Sequence, residues 1–234
     1  MSSTKEWREV NIHDDDDDGG GEVDTLFNLF AEKDLYEIQE YEYSNTPKLF
    51  LRGQPEMPNS TGLALWLGSE VLCDRFVQNP LLIKDKRVLE MGAGMGLVGM
   101  VAHYLGASNV IMTDGATDVL GNLQYNMDKN LPKGSSVSCT QLIWGQDLEM
   151  FERKFGRQEV ILAADVLYVT KTLKPFWETV RYLLDPDGLA IVLHRSSSQH
   201  EFSLTLETAA EYGFAWTCSN EEEGIYYFKR KETK

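Results

Sequence analysis

Residues 88–99 read Val88-Leu89-Glu90-Met91-Gly92-Ala93-Gly94-Met95-Gly96-Leu97-Val98-Gly99. A short apolar run meets glycine at positions 92, 94, 96 and 99. Glycine there lets the chain turn tightly from strand to helix and lets a ligand approach the backbone. The spacing predicts a strand over Arg87–Met91 and a helix over Leu97–Leu105. The alternation continues downstream, with strands over Asn109–Thr113, Val137–Ile143, Val160–Ala164 and Leu189–Leu193. Helices are expected over Val119–Asn130, Leu173–Leu184 and Phe202–Tyr212. Phe214–Cys218 and Ile225–Lys229, joined across the acidic turn Glu221-Glu222-Glu223-Gly224, read as an antiparallel hairpin. Strands alternating with helices point to a parallel sheet covered on both faces. The expected fold is α/β: a doubly wound, mostly parallel seven-stranded sheet with a C-terminal antiparallel hairpin.

Upstream, Tyr36–Tyr43 alternates polar and aromatic residues, Ser44-Asn45-Thr46-Pro47 is turn chemistry, and Lys48–Arg52 alternates again. These predict an N-terminal β-hairpin extension. Thr61 is positioned to cap a helix running through Leu63, Leu65, Trp66 and Val71 to near Phe76. Residues 25–33 read as a short amphipathic turn or helix. Residues 1–24 stand apart, with nine acidic and two basic side chains, the run Asp14–Asp18 and then Gly19–Gly21. Like charges followed by glycines do not pack, so a disordered acidic tail is expected before a domain over 25–234.

The chain's 234 residues suffice for one sizeable core. Its net charge of −15 repels phosphates, so no direct nucleic-acid binding is expected, whereas a basic polypeptide would be attracted. Cys73, Cys139 and Cys218 are odd in number and form no CxxC pair. That argues against a disulfide framework or a zinc site and for a reducing compartment. No apolar run reaches about 18 residues, so no membrane span is expected. The N-terminus lacks the apolar stretch of a signal peptide. A monomer in the cytoplasm or the nucleus is expected, with no metal.

Two registers compete for the glycine loop. Gly94-x-Gly96-x-x-Gly99 matches a dinucleotide fingerprint, and Glu90-x-Gly92-x-Gly94-x-Gly96 matches a loop for S-adenosylmethionine (SAM). The first must hold a pyrophosphate at a helix N-terminus, which an anionic Glu90 would oppose. SAM has no phosphate but carries an ammonium and a sulfonium, which a carboxylate at the strand end suits. Asp114 ends the second strand, 20 residues after Gly94, where an acid accepts ribose hydroxyls in either cofactor class. Its alternative role is a cap on the following helix.

These residues resemble the seven-β-strand, class I SAM-dependent methyltransferases, and within them the eukaryotic methyltransferase-like group that includes protein-lysine methyltransferases. The resemblance rests on five pieces in order: Thr61–Trp66, Leu89–Gly99, Val110–Asp114, Leu142–Gly145 and Ala163-Ala164-Asp165-Val166-Leu167-Tyr168. The last fits an Asp-x-x-Tyr/Phe signature after the fourth strand. The resemblance implies a Rossmann-like sheet and SAM as cofactor. It also implies SAM contacts from Trp66, Gly92, Ala93, Gly94, Asp114, Trp144 and Ala164, with Asp114 on the ribose and Trp144 near the adenine. Asp165 and Tyr168 would sit where the methyl acceptor enters.

Methyl transfer is an in-line displacement to which a protein mainly contributes alignment. A lysine acceptor, with a reference pKa of about 10.4, must first lose a proton, and desolvation in an aromatic slot favours that loss. An ionised Asp165 would oppose the loss, so its expected role is to orient the amine, with Tyr168 hydrogen-bonding beside it. His194 at the fifth strand end is either a general base or a satisfied rim histidine. Tyr36, Tyr41, Tyr43 and Phe50 line either a peptide groove or the packed side of the hairpin. The expected activity is N-methylation of a lysine in a protein substrate, itself basic or lysine-bearing. The alternatives are another nitrogen acceptor (protein histidine or arginine, or a small-molecule amine), a non-catalytic SAM-binding subunit, and a dehydrogenase.

Overall fold

The structure, a computed structural model, describes residues 36–54, 67–195, 199–218 and 224–232. The expected acidic tail, the element at 25–33, the Thr61 cap, Trp66 and Glu221–Glu223 lie outside the described residues. The chain opens with an antiparallel hairpin of β1 (Glu37–Tyr41) and β2 (Leu49–Gly53). Helix α1 spans Leu67–Gln78. Then come β3 (Arg87–Met91), α2 (Leu97–Tyr104), β4 (Asn109–Asp114), α3 (Thr117–Asn130), β5 (Val137–Gln141) and α4 (Leu148–Phe155). The remaining elements are β6 (Gln158–Ala164), α5 (Leu173–Leu183), β7 (Leu184–Leu193), α6 (Gln199–Glu211), β8 (Phe214–Cys218) and β9 (Ile225–Arg230).

The main sheet has seven strands in the order β5-β4-β3-β6-β7-β9-β8. Pairing is parallel from β5 to β7, and β9 runs antiparallel between β7 and β8. The winding therefore reverses between β3 and β6, whose carboxyl ends form the switch point where such sheets bind ligands. Period-two alternation divides the core. Val88, Val110, Val160 and Leu162 face one layer with α1, α2 and α3. Leu89, Ile111, Ile161 and Ala163 face the other with α4, α5 and α6.

Three elements differ from the sequence-based expectation. Helix α4 falls in a stretch given no element, although Leu148, Phe151 and Phe155 recur at helical spacing before Gly156, whose N–H closes the helix on Glu152 O at 2.7 Å. Strand β5 stops at Gln141 because the chain turns there, Gln146 N–H bonding Ile143 O at 3.0 Å. Strand β7 begins at Leu184, not Leu189. Gln158 pairs with Leu184 and Val160 with Leu189, so Asp185-Pro186-Asp187-Gly188 bulges out of the ladder.

The second layer centres on Trp177 of α5, fully buried, with ring centroids 5.1 Å from Phe176, 5.4 Å from Phe214 and 4.6 Å from Phe228. It joins α5 to the antiparallel end of the sheet. Trp177→Ala should cost about 3–5 kcal/mol of stability through the cavity left behind. Urea unfolding measures it, and a loss under about 1 kcal/mol would contradict this packing.

Candidate active site

The glycine-rich turn is tied down from below. Gly92 and Ala93 both donate their N–H to Thr113 O, at 2.9 and 2.8 Å. Thr113 Oγ1 donates to Glu90 O at 2.7 Å, so β4's end grips β3's end. Gly94 N–H bonds Asp114 Oδ2 at 3.2 Å, and Gly96 N–H bonds Ala93 O at 2.8 Å. Gly99 N–H, in the first turn of α2, bonds Glu90 Oε2 at 2.9 Å. Five loop N–H groups are thus donated within the protein. A pyrophosphate is held by N–H groups at such a helix start, and these five are engaged within the protein instead.

Glu90 departs from its expected role. It is 2% exposed, beneath the turn rather than on a ligand face. Burial pushes its carboxyl up to about 8, with Gly99 N–H opposing and the Asp114 charge adding to the rise. The group favours its neutral form near pH 7, so an anion facing a cationic ligand is not what the structure presents. The cause is the turn of α2 back over β3, which closes the layer above the carboxyl.

Asp114 stands partly exposed at the β4 end, its Oδ1 accepting Ala116 N–H at 3.1 Å. Helix α3 starts at Thr117 with no side-chain cap, so Asp114 stabilises the turn ahead of the helix and does not cap it. A carboxylate oxygen accepts more than one hydrogen bond, so Asp114 retains capacity for a diol. Trp144, after β5, packs edge-on against Phe176 at 5.1 Å, and Gly145 N–H bonds Thr179 Oγ1 at 2.8 Å. Gly92 has φ +73°, and a Cβ there would lie 2.6 Å from Val166 Cγ1 and 3.8 Å from Trp144 Cζ2. Bare backbone at 92 therefore borders Val166 and Trp144. Ala93 is buried and Ala164 half-buried at the end of β6.

Asp165 follows β6 in a left-handed conformation, φ +54°. Its N–H bonds Leu193 O at 2.9 Å and its Oδ1 accepts Arg195 N–H at 2.8 Å, which joins the ends of β6 and β7. A Cβ on Gly68 would overlap its carboxylate, so α1 closes directly on it. Burial raises the Asp165 pKa, opposed by Arg195 N–H and by the charges of His194 and Arg195. Tyr168, three residues on, is 63% exposed. The His194 ring stacks on Phe202 at 4.5 Å. Tyr41 is buried and Tyr43 packs beside α1, so these two serve as packing, whereas Phe50 is exposed.

The structure thus gathers Gly92, Ala93, Gly94, Asp114, Trp144, Ala164 and Asp165 at the carboxyl ends of β3 to β6. It sets Glu90 below them and Tyr168 outside them. Sequence reasoning missed Gly68, Thr113 and Val166. Val166 lies inside the quoted Asp-x-x-Tyr segment, and Thr113 precedes Asp114, so both were adjacent to the signal.

A family model described as lysine methyltransferase matches residues 45–208. A zebrafish (Danio rerio) protein N-lysine methyltransferase, METTL21A, is 29% identical over 172 residues, covering 73% of this chain and 77% of the relative. A mouse (Mus musculus) EEF1A lysine methyltransferase 3 is 31% identical, covering 58% and 56%. A protein N-terminal and lysine N-methyltransferase, EFM7, from Eremothecium gossypii is 30% identical over 223 residues, covering 82% and 84%. The chain spans little more than half the length of the mouse relative. Among solved structures, the Thermus thermophilus 16S rRNA N2 G1207 methyltransferase, in complex with AdoMet and guanosine, superposes with TM-score 0.58. It is 16% identical, covering 85% of this chain and 51% of that one, and supports the fold alone.

The buried Glu90 carries a pH dependence. Its folded pKa is raised above the ordinary 4.5, so its contribution is full below that value and is lost as pH rises towards about 8. The stability advantage of the wild type over Glu90→Gln, which keeps an acceptor for Gly99 N–H but cannot titrate, should fall across this window. The slope is at most about 1.4 kcal/mol per pH unit. Urea unfolding of both proteins between pH 5 and 8 checks it; a constant difference would show that Glu90 does not titrate as described.

Proposed function

The chain belongs to the lysine methyltransferase family, SAM-dependent N-methyltransferases, and from that premise we propose that it methylates a lysine side chain in a protein and that the residues gathered at the switch point do this work. The observation that carries the reading is the family match over 45–208. That span takes in the glycine-rich turn, Asp114, Trp144 and the Asp165–Tyr168 segment.

The site suits SAM on its own chemistry. It offers a carboxylate at Asp114 for a ribose diol, bare backbone at Gly92, and the Trp144 ring beside it. The N–H groups of Gly92, Ala93, Gly94, Gly96 and Gly99 are engaged within the protein and are not offered to a phosphate. Bound SAM supplies a methyl group on an electron-poor sulfonium. Gly92, Ala93, Gly94 and Ala164 would contact it, Asp114 would hold the ribose, and Trp144 would lie near the adenine. Trp66, outside the described residues, is retained as a further contact.

At the acceptor end, Asp165 and Tyr168 position the amine. Asp165 Oδ1 is committed to Arg195 N–H, which leaves Oδ2, beside Gly68, as the atom to orient it. Burial that raises the Asp165 pKa weakens its opposition to lysine deprotonation. The exposed Tyr168 marks the mouth. Net charge −15 favours a basic substrate protein. Cysteines 73, 139 and 218 are free, in keeping with a cytoplasmic or nuclear site. A second acceptor, a protein N-terminal amine, is favoured by one observation: a relative that covers 82% of this chain is named for both substrates.

Transfer of labelled methyl from SAM into a cell lysate, followed by mass analysis of the labelled residue, tests the reading. A discrete protein band carrying methyl-lysine is expected, reduced at least about tenfold in Asp165→Ala through loss of a charge-assisted contact. Label confined to small molecules, or SAM binding without any transfer, would contradict it.

A further inference from the structure

Strand β2 pairs with β1 along one edge only. Along the other, the peptide groups of Phe50 and Arg52 are met by side chains of α3 instead of by a strand. Asn130 Oδ1 accepts Phe50 N–H at 2.7 Å, and its Nδ2 donates to Phe50 O at 2.9 Å. Asn126 treats Arg52 the same way, at 2.9 and 3.0 Å. Asn122 donates to Arg52 O at 2.8 Å and accepts Arg52 Nε–H at 2.8 Å. The Arg52 guanidinium lies 4.2 Å from the Tyr36 ring centroid and 3.8 Å from that of Tyr125. A spacing of four residues puts the three asparagines on one helix face, where their amides act as a substitute strand.

Asn126 does something more. It is 0% exposed, and its Nδ2 also donates to Met95 O at 3.1 Å, between Gly94 and Gly96. Its two N–H groups and its oxygen are then all engaged. The amide cannot turn without breaking bonds to both the hairpin and the glycine-rich turn. We infer that Asn126 is a positioning residue for the donor loop, its amide fixed on its other side by Arg52 of the hairpin. The inference rests on the reading of the loop as a SAM site.

Calorimetric titration of the full chain with S-adenosylhomocysteine, the demethylated donor, tests it, using Asn126→Ser and Asn130→Ser beside the wild type. Each variant removes one amide that brackets a β2 residue, so both should lower Tm. Only Asn126→Ser removes the bond to the loop. It should bind about threefold to tenfold more weakly, the effect of one buried hydrogen bond, while Asn130→Ser keeps wild-type affinity. In turnover, Asn126→Ser should raise KM for SAM with kcat within about twofold. Equal affinity for all three proteins, or equal weakening in both variants, would overturn the inference and leave the SAM reading standing. A wild type that does not bind S-adenosylhomocysteine would overturn that reading and this inference with it. If Asn126→Ser does not fold, the side-chain amide resonances of the wild type decide. A shift at Asn126 but not at Asn130 on titration supports the inference, and an unmoved Asn126 overturns it.

Discussion

The hydrogen bond from Gly99 N–H to the buried Glu90 carboxyl is the constraint on which the rest of the site depends. A carboxyl enclosed between a strand and a helix must be paired or neutral. Among the described residues it has one donor, and its pKa is pushed up to about 8. The bond draws α2 back over β3, and Thr113 and Asp114 then take the N–H groups of residues 92 to 94. Those N–H groups are then not offered to a phosphate. What stands at the turn's rim is the Asp114 carboxylate, in keeping with the ribose diol proposed for it. The same glycine spacing thus acquires a different chemistry from where its N–H groups are sent.

The sheet places Asp165 beside this turn. Because β3 and β6 are neighbours at the point where winding reverses, the segment after β6 lies next to the glycine-rich turn, with Val166 against Gly92. Asp165 is held there by β7 through Leu193 O and Arg195 N–H, and by α1 through the space left at Gly68. Elements distant in sequence converge on one carboxylate. The left-handed backbone at Asp165 persists because both neighbours hold it.

Much of this was legible beforehand. Strands β3, β4 and β6 are buried on both faces and therefore read as continuous apolar runs, and the glycines between β3 and α2 leave few alternatives. The placement of Asp114, Trp144 and Asp165 at strand ends followed from the parallel sheet. Other features were hidden because they arise from packing across the chain. The burial of Glu90 depends on α2 folding back, which spacing does not express, so its charge was assigned to the wrong face. Asn122, Asn126 and Asn130 recur every four residues, a visible pattern. Their role emerged only with β2 beside them, since polar residues on a helix are ordinarily solvated. The bulge at Asp185–Gly188 was taken for a strand boundary because Pro and Gly end strands more often than they interrupt them.

The most direct test of the account is a crystal structure of the chain with S-adenosylhomocysteine bound. The account predicts the ribose diol on the Asp114 carboxylate, the adenine beside Trp144, and the bonds from Gly92, Ala93 and Gly99 to Thr113 and Glu90 unbroken. A ligand whose ribose sits away from Asp114, or a turn reopened so that these N–H groups face the ligand, would contradict it.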